Sequence, residues 1–272
     1  MPALPLTRCS EIGVTLLSPN VRLVHFDAID STNAEAHRRA LAGERGPLWL
    51  IADRQTEGRG RLGRHWVSES GNLFATLLLT LAISPATAAQ LSFVAALAVV
   101  ETVGPLITRG AHRLVRVKWP NDVLIEGRKL AGILSETAIS ATDEMIVAIG
   151  CGINIAHAPG SAAYPITCLA HHGCSAHRDE VFADVARAMA AKLAAWDHGR
   201  GFDVVRQCWL AHAAGLGGRA RAETGQGRVE GIFVNLAADG ALILRLDSGE
   251  HRIIYGGEVT FAEIEALRDR QT

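Results

Sequence analysis

The spacing of apolar residues predicts several short strands. The runs LWLIADRQ (48–55) and LFATLLLTL (73–81) lie between glycine and proline signals, so both are interpreted as buried strands. Four more runs follow one another with short connections, which favours an antiparallel meander over helices that alternate with parallel strands. These runs are RLVRVKWP (113–120), DVLIEG (122–127), RKLAGILSETA (128–138) and MIVAIGCGINI (145–155).

Other segments have helical signals. IDSTNAEAHRRALAG (29–43) has capping-box spacing at Thr32 and Glu35, and Gly43 follows its last apolar turn. The apolar run QLSFVAALAVVETVGPLI predicts a helix that ends near Gly104 and Pro105. Helical periodicity also covers 178–197, and a shorter helix is predicted at about 202–213.

The pattern changes after GLGG (215–218). From there on, short alternating strands follow one another, with a turn signal at Asp239 and Gly240. We therefore predict a domain boundary near residue 216. Residues 1–216 would carry the chemistry, and residues 217–272 would form a small β-barrel.

Composition narrows the class of protein. The chain has 272 residues and a formal net charge of -1, so no global field draws it to nucleic acid or to a membrane. No signal peptide is recognisable, and we expect no apolar run to reach the roughly 18 to 20 residues that span a bilayer, so we expect a cytoplasmic protein without a membrane partner. The scattered, odd-numbered cysteines argue against a disulfide framework; they are Cys9, Cys151, Cys168, Cys174 and Cys208.

The segment EGRGRLGRHW (57–66), called here the Gly/Arg loop, combines three arginines with three glycines and ends at Trp66. Glycine lets backbone N–H groups approach a ligand, and arginine offers forked donors to phosphate or carboxylate oxygens. A cationic clamp with Trp66 as a lid is the favoured interpretation. A solvated surface loop and an RNA-binding segment stay as alternatives, although aromatic residues, at 5%, are few for RNA stacking.

A second cluster lies in VKWPNDVLIEGRKLAGIL (117–134). A strand, a turn and an antiparallel return would bring Lys118, Asn121 and Asp122 close to Lys129, which suits phosphate and magnesium. Taken alone, Asn121 and Asp122 are explained equally well by a turn after Pro120. In GCGIN (150–154), Gly150 and Gly152 could let a ring lie against bare backbone while the amide of Asn154 reads a base edge, but a β-bulge is the commoner explanation of such glycines.

The segment CLAHHGCSAH (168–177) has a spacing that zinc tolerates, through Cys168, His171, Cys174 and His177. Such short matches are often false, so we do not expect zinc here, and the question stays open. Cys151 is interpreted as a small apolar strand residue and not as a nucleophile, because no base is recognisable beside it.

Together these motifs resemble the biotin–protein ligase family. DSTN, QTEGRGRxGRxW, KWPNDV, RKLAGIL and GxGIN occur in that family's order and near its spacing over residues 28–155, and GGEV (256–259) resembles its C-terminal domain. The resemblance implies an α+β fold, with a mixed sheet and flanking helices like those of class II aminoacyl-tRNA synthetases, and a C-terminal SH3-like barrel.

The implied reaction has two steps and uses ATP with Mg²⁺. Biotin and ATP would give biotinyl-5′-AMP and pyrophosphate, and a lysine of a biotin carrier domain of the acetyl-CoA carboxylase type would then take the biotinyl group. A lipoate–protein ligase is the nearest alternative, and a biotin-sensing regulator is another. Exposed edge strands near the site could pair with the carrier or with a second copy of the chain, so a homodimer stays open.

The resemblance also implies site residues. Lys129, Arg61 and Lys118 would be catalytic, and Asp122 would face magnesium. The biotin site would comprise Ser31, Thr32, Asn33, Gln55, Arg59, Gly60, Arg61, Lys129, Gly132 and Gly152, and the ATP site Arg61, Arg64, Trp66, Lys118, Asn121 and Asn154.

Two features depart from the family pattern. His65 stands where many relatives have lysine, so one cation of the loop would depend on pH near neutrality. Twenty-nine residues precede DSTN, which is too few for a helix-turn-helix domain. We therefore expect a monofunctional ligase that does not bind DNA specifically.

Overall fold

The computed structural model describes residues 21–107, 115–139, 144–159 and 164–269. Within these ranges, seven strands form one mixed sheet: β1 (Arg22–Phe26), β2 (Leu48–Ala52), β3 (Leu73–Leu81), β4 (Val115–Lys118), β5 (Asp122–Ile125), β6 (Arg128–Ile139) and β7 (Met145–Ile153). Their spatial order is β1-β2-β3-β7-β6-β5-β4, and only β1 and β2 pair in parallel. The predicted antiparallel meander from β4 to β7 is therefore confirmed.

Helices cover both faces of this sheet. They are α1 (Thr32–Leu41), α2 (Pro85–Ala89), α3 (Leu91–Leu106), α4 (Arg178–Trp196) and α5 (Phe202–Ala211), and α6 (Ala262–Asp269) follows near the C-terminus. Alternate residues of β2 point to opposite faces: Leu48 and Leu50 pack with α1, whereas Trp49 and Ile51 belong to the core around α3 and α4. Burial on both faces explains why β2 and β3 are almost entirely apolar.

The start of α1 differs from the prediction. Ser31 is the N-cap, and its Oγ accepts a hydrogen bond from the Ala34 N–H at 3.4 Å. Glu35 forms ion pairs with Arg38 and Arg39, so the capping box predicted from Thr32 is wrong. Because the cap lies one residue earlier, the Thr32 side chain is available to the site.

The apolar helical segment needs a second correction. The helical segment Pro85–Leu106 has 22 residues and, judged by length and composition alone, is long and apolar enough to cross a membrane. The expectation that no segment is long enough is therefore wrong. Two-thirds of its most apolar window is buried inside the fold, where α3 packs against the sheet and against α4 and α5. Its burial identifies it as a core helix.

The C-terminal part is a second, smaller sheet. In the described residues its strands are β8 (Arg219–Thr224), β9 (Gly227–Leu236), β10 (Leu242–Arg245), β11 (His251–Ile254) and β12 (Glu258–Phe261), in the antiparallel order β11-β10-β9-β8-β12. The predicted turn at Gly240 joins β9 to β10 with a φ of 92°. The sheet is open between β11 and β12, so the structure shows the predicted small β-unit but not a closed barrel.

Aromatic packing fixes this small sheet against the large one. The Phe93 ring on α3 lies 5.7 Å from the Phe202 ring and 5.4 Å from the Trp209 ring, both on α5. Gly240 sits directly on Phe93, since a Cβ there would be 2.8 Å from that ring, and its carbonyl accepts the Trp119 Nε1–H at 3.0 Å. The start of β12 is thereby brought to the end of β4.

Candidate active site

One cavity lies where the N-terminus of α1, the Gly/Arg loop, the β4–β5 turn and the start of β12 meet. Fifteen of the sixteen residues proposed from the family resemblance line it: Ser31, Thr32, Asn33, Gln55, Arg59, Gly60, Arg61, Arg64, Trp66, Lys118, Asn121, Asp122, Lys129, Gly132 and Gly152. The structure therefore brings together residues that are up to 121 positions apart in the sequence.

The end of the cavity at α1 is polar and uncharged. Gln55 Oε1 accepts the Thr32 N–H at 2.9 Å and lies 3.1 Å from the Thr32 hydroxyl. Gln55 Nε2 donates to Ser68 Oγ at 3.0 Å, and Ser68 in turn donates to the Trp66 carbonyl. These bonds fix the Gln55 amide at the helix N-terminus, where it can present hydrogen-bonding groups to a polar ligand.

Asn33 connects α1 to the sheet. Its Nδ2 donates to the Leu134 carbonyl at 3.1 Å and to Glu136 at 2.8 Å, and its Oδ1 lies 2.7 Å from the Thr76 hydroxyl. Gly150 is necessary opposite it, because a Cβ at that position would lie 2.3 Å from Asn33 Oδ1. Asn33 is 4% exposed, and both ends of its amide are occupied by protein partners.

Glu136 has a lowered pKa. Hydrogen bonds from His37 and Asn33 and the charge of Arg59 lower the pKa of this carboxyl to about 2, against the opposing effect of burial. Arg59 lies 3.5 Å away and belongs to the first arm of the Gly/Arg loop. Sequence reasoning missed Glu136, which follows RKLAGIL by two residues and belongs to none of the motifs.

The Gly/Arg loop is a narrow hairpin. The Trp66 N–H donates to the Gly58 carbonyl at 2.8 Å, and the Gly60 N–H donates to the Arg64 carbonyl at 2.7 Å. Leu62 at the tip has a φ of 57° and is 73% exposed, a costly arrangement for a branched apolar residue. The loop is therefore ordered by its own backbone, while its arginine side chains point to three different elements.

Two of these arginines connect the loop to the rest of the site. Arg61 Nη1 donates to Asn121 Oδ1 at 3.2 Å, and Arg61 Nη2 donates to the Gly257 carbonyl at 3.4 Å. Arg64 forms an ion pair with Glu258, which lowers the pKa of that carboxyl. Gly257 and Glu258 belong to GGEV, so the C-terminal sheet supplies part of the cavity wall, which the sequence motif alone did not show.

Two lysines face one carboxylate at the other end of the cavity. Lys129 Nζ lies 2.8 Å from Asp122 Oδ1. Burial alone would lower the pKa of Lys129, but Asp122 and Tyr164 outweigh it, and the pKa is raised. At Lys118 burial prevails over Asp122, and the pKa is lowered. With Arg61, whose pKa is also lowered by burial, the cavity contains more cationic than anionic groups.

Trp66 forms an apolar wall between the two ends. Gly132 and Gly152 face each other across β6 and β7, and the indole lies on this bare patch of backbone. A Cβ on Gly152 would lie 2.6 Å from the ring, and one on Gly132 would lie 3.0 Å from it. Glycine at both positions is what lets the ring lie against the sheet.

Asn154 is the proposed residue that the structure does not bring to the cavity. It is 2% exposed, and its Nδ2 donates to the Thr167 carbonyl at 3.1 Å. Its role toward ATP stays a prediction. Tyr164, in contrast, lines the cavity beside Lys129 and was missed, since no motif around it suggested a site.

Two of the cysteine and histidine residues of 168–177 have structural roles. Cys168 is fully buried, and His177 is the N-cap of α4. Within the described ranges, the one group of potential metal ligands with atoms within 4.8 Å of one another is His25, Asp27 and Asp53, and Asp53 there is paired with both His25 and Arg178. Burial raises the pKa of Cys151 to about 12, in agreement with its interpretation as an apolar strand residue.

A cluster of cations, three of them partly buried, lies beside a neutral polar pocket and suits an acidic substrate. Comparisons with known proteins specify the class of protein. Residues 26–154 match the biotin/lipoate A/B protein ligase family, and residues 215–261 match the biotin protein ligase C-terminal domain. The biotin–[acetyl-CoA-carboxylase] ligase of Paracoccus denitrificans is 41% identical over 238 residues, which cover 85% of this chain and 97% of the relative. The chain therefore belongs to the biotin–protein ligase family.

Two further similarities extend over most of the chain. The bifunctional ligase/repressor of Bacillus subtilis is 31% identical over 238 residues, which are 85% of this chain and 71% of that protein. The solved structure of the Aquifex aeolicus biotin protein ligase in complex with biotin and ATP has a TM-score of 0.72 at 28% identity and covers 88% of this chain and 98% of that one. The mixed sheet with flanking helices is thus the fold of biotin ligases.

Proposed function

We propose that this chain activates biotin with ATP to give biotinyl-5′-AMP and pyrophosphate, and then transfers the biotinyl group to a lysine of a biotin carrier domain of the acetyl-CoA carboxylase type. The observation that carries the proposal is the convergence of Arg61, Lys118 and Lys129 on one cavity, next to the polar pocket of Thr32 and Gln55. Two substrates would together match this distribution of charge: an acid with a neutral hydrogen-bonding head group, and a nucleoside triphosphate.

The first step must bring two anions together. A carboxylate attacks the α-phosphate, so the protein contributes mainly by positioning and by charge stabilisation. Lys129, held by Asp122, would contact both anions, while Lys118 and Arg61 would compensate the charge of the phosphates. The loss of one such cation costs on the order of 3 kcal/mol, or about a hundredfold in rate.

The neutral end of the cavity would bind the biotin head group. Gln55 and Thr32 offer donors and acceptors in fixed positions, and the Trp66 indole offers an apolar surface for the rest of the molecule. The Gly/Arg loop would then close over the mixed anhydride and shield it from water. Arg64 would exchange its partner Glu258 for a phosphate oxygen, since both are anionic acceptors.

The site offers Asp122 as a carboxylate for magnesium, and a bound ion would need the phosphates of the nucleotide as further ligands. Asp122 is the carboxylate that faces the two lysines, and Mg²⁺ commonly binds one or two carboxylates and takes its other ligands from phosphate and water. Asp122 would hold the ion, which would neutralise phosphate charge when bound.

The partners and the location of the protein follow from the same proposal. On the β5 side, the described bonding of β6 extends to Ile133, whose N–H donates to the Asn121 carbonyl, and Asn33 occupies the Leu134 carbonyl. The described residues of β6 from Ser135 onward would present an edge for strand pairing with the carrier domain or with a second copy. We propose that the small open sheet is a variant of the SH3-like barrel and that the protein is cytoplasmic. The prediction that the chain does not bind DNA specifically concerns its N-terminal segment, whose first twenty residues lie outside the described residues.

The test uses purified protein, biotin and Mg·ATP without a carrier. Pyrophosphate release and bound biotinyl-AMP, detected by mass spectrometry, are the expected result. An adenylate formed with lipoate and not with biotin would replace the proposal with lipoate ligation. If neither acid gave an adenylate, the proposal would be wrong, and RNA binding by the Gly/Arg loop would be examined next.

A further inference from the structure

The ammonium group of Lys129 lies between two aromatic rings. Its Nζ is 5.2 Å from the centre of the Trp66 ring and 5.3 Å from the centre of the Tyr164 ring, and the Tyr164 hydroxyl is 3.5 Å away. Asp122 Oδ1, at 2.8 Å, approaches the same nitrogen. Both ring distances lie within the range in which an aromatic face attracts a cation.

The position of Tyr164 is fixed by the backbone. The Lys129 N–H donates to the Pro165 carbonyl at 2.8 Å, and the Thr167 N–H donates to the Lys129 carbonyl at 2.9 Å. The Thr167 carbonyl in turn accepts Asn154 Nδ2. The segment that carries Tyr164 is therefore attached directly to the residue whose side chain Tyr164 contacts, and a shift of one would move the other.

We propose that Tyr164 is a positioning residue for Lys129, its ring confining the ammonium against Trp66 and Asp122 at the place where the carboxylate meets the α-phosphate. A lysine side chain has four rotatable bonds and loses much entropy when it is held in one geometry. Two rings and one carboxylate restrict it before the substrates arrive. The proposal rests on the proposed function for its consequence in catalysis, but the confinement itself can be tested without activity.

The first test measures how accessible Lys129 is. The lysines of the chain are Lys118, Lys129 and Lys192, so labelling by acetic anhydride can be followed at each by peptide mass spectrometry. Lys192 is paired with Glu101, neither residue lines the cavity, and Lys192 is the internal reference. Tyr164→Leu should raise the labelling of Lys129 relative to Lys192 severalfold in ligand-free protein. Tyr164→Phe should leave the ratio near that of the wild type, because the ring is kept.

The second test measures adenylate formation. Tyr164→Leu should lower kcat about three- to tenfold, the effect of removing one cation–π contact, with the KM for biotin changed less than about twofold. Tyr164→Phe should restore most of kcat. Tyr255→Leu, which removes a tyrosine that is 74% exposed, is the matched control and should behave as wild type without carrier. Thermal unfolding of every variant checks that the fold is kept.

The two sets of results separate this inference from the proposed function. Unchanged labelling of Lys129 in Tyr164→Leu would overturn the inference, whatever the activity. A loss in Tyr164→Phe as large as that in Tyr164→Leu would also overturn it, because the ring would then not be the group that acts. If the wild type made no adenylate while the labelling changed as expected, the proposed function would fail and the confinement of Lys129 would stand.

Discussion

Replacement of Gly152 by alanine would displace the Trp66 ring from the cavity wall. An added Cβ would lie 2.6 Å from Cε2, 2.7 Å from Nε1 and 2.8 Å from Cζ2 of the indole. Carbon atoms pack best at about 3.5 to 4.0 Å, so the ring must retreat by roughly 1 Å. The strand itself is held on both sides by β3 and β6, and therefore the loop that carries Trp66 must yield.

We expect this change to affect activity far more than stability. Trp66 is part of an ordered but partly exposed loop, so overpacking should lower the free energy of unfolding by only about 1 kcal/mol. A displacement of about 1 Å beside the reacting groups can cost about a hundredfold in rate. Pyrophosphate release with saturating biotin and ATP, together with thermal unfolding, measures both effects. Gly225→Ala, where an added Cβ meets no atom within 4 Å, is the control.

A double-mutant cycle tests the stated cause. In a Trp66→Ala background there is no ring to displace, so the addition of Gly152→Ala should cost little further activity. If Gly152→Ala cost as much in that background as in the wild type, the reasoning through Trp66 would be refuted. Wild-type activity of Gly152→Ala alone would refute it as well.

Further predictions concern the charged residues of the site. Lys129→Gln should slow adenylate formation about a hundredfold, while the surface control Lys192→Gln should not; equal activities would contradict the role of Lys129. Arg61→Ala should shorten the retention of biotinyl-AMP in a dialysis assay and hardly change the unfolding temperature, because a loop residue contributes little to the core; the reverse pattern would count against the clamp. The pKa of Glu136 is lowered from 4.5 to about 2, so its stabilising effect is complete above pH 4.5 and is lost as the pH falls toward 2. Urea unfolding at pH 4.5 and near pH 2 measures this effect. After allowance for solvent screening, the free energy of unfolding should fall by about 1 to 2 kcal/mol more in the wild type than in Glu136→Gln, and equal decreases would argue against the interaction of Glu136 with its partners.

Elements with strong local patterns could be predicted from the sequence. The apolar runs of β2, β3 and β7 are buried on both faces, so their composition identified them without knowledge of their neighbours. The strand β1 was missed because Arg22 and His25 interrupt its apolar residues, whereas β2, of equal length, is wholly apolar. The five-residue helix α2 was missed because it is too short to show a period. The N-cap of α1 was placed one residue late because Ser31 and Thr32 are both good caps, and only the contact of Thr32 with Gln55 decides between them.

Many site residues within motifs could be predicted, and those that reach the cavity through tertiary contacts could not. Arg61, Lys118 and Lys129 belong to segments whose residue types match phosphate chemistry, so the sequence indicated them. Tyr164 belongs to no motif, and Glu258, although part of GGEV, had no predicted role at the site. Both reach the cavity only because distant segments are folded against β6 and against the Gly/Arg loop. No local pattern contains that information, since it depends on tertiary contacts.

The aromatic junction between the two sheets has a consequence for how the molecule unfolds. Phe93 and Trp209 of the larger part share one continuous core with Phe233 and Phe261 of the smaller one. Gly215 at the connection packs so closely on Phe261 that a Cβ would lie 2.2 Å from its ring. Loss of the C-terminal sheet would therefore expose aromatic surface on α3 and α5, and the two parts should melt in a single cooperative transition. The wall of the cavity formed by Gly257 and Glu258 would then be as stable as the main sheet.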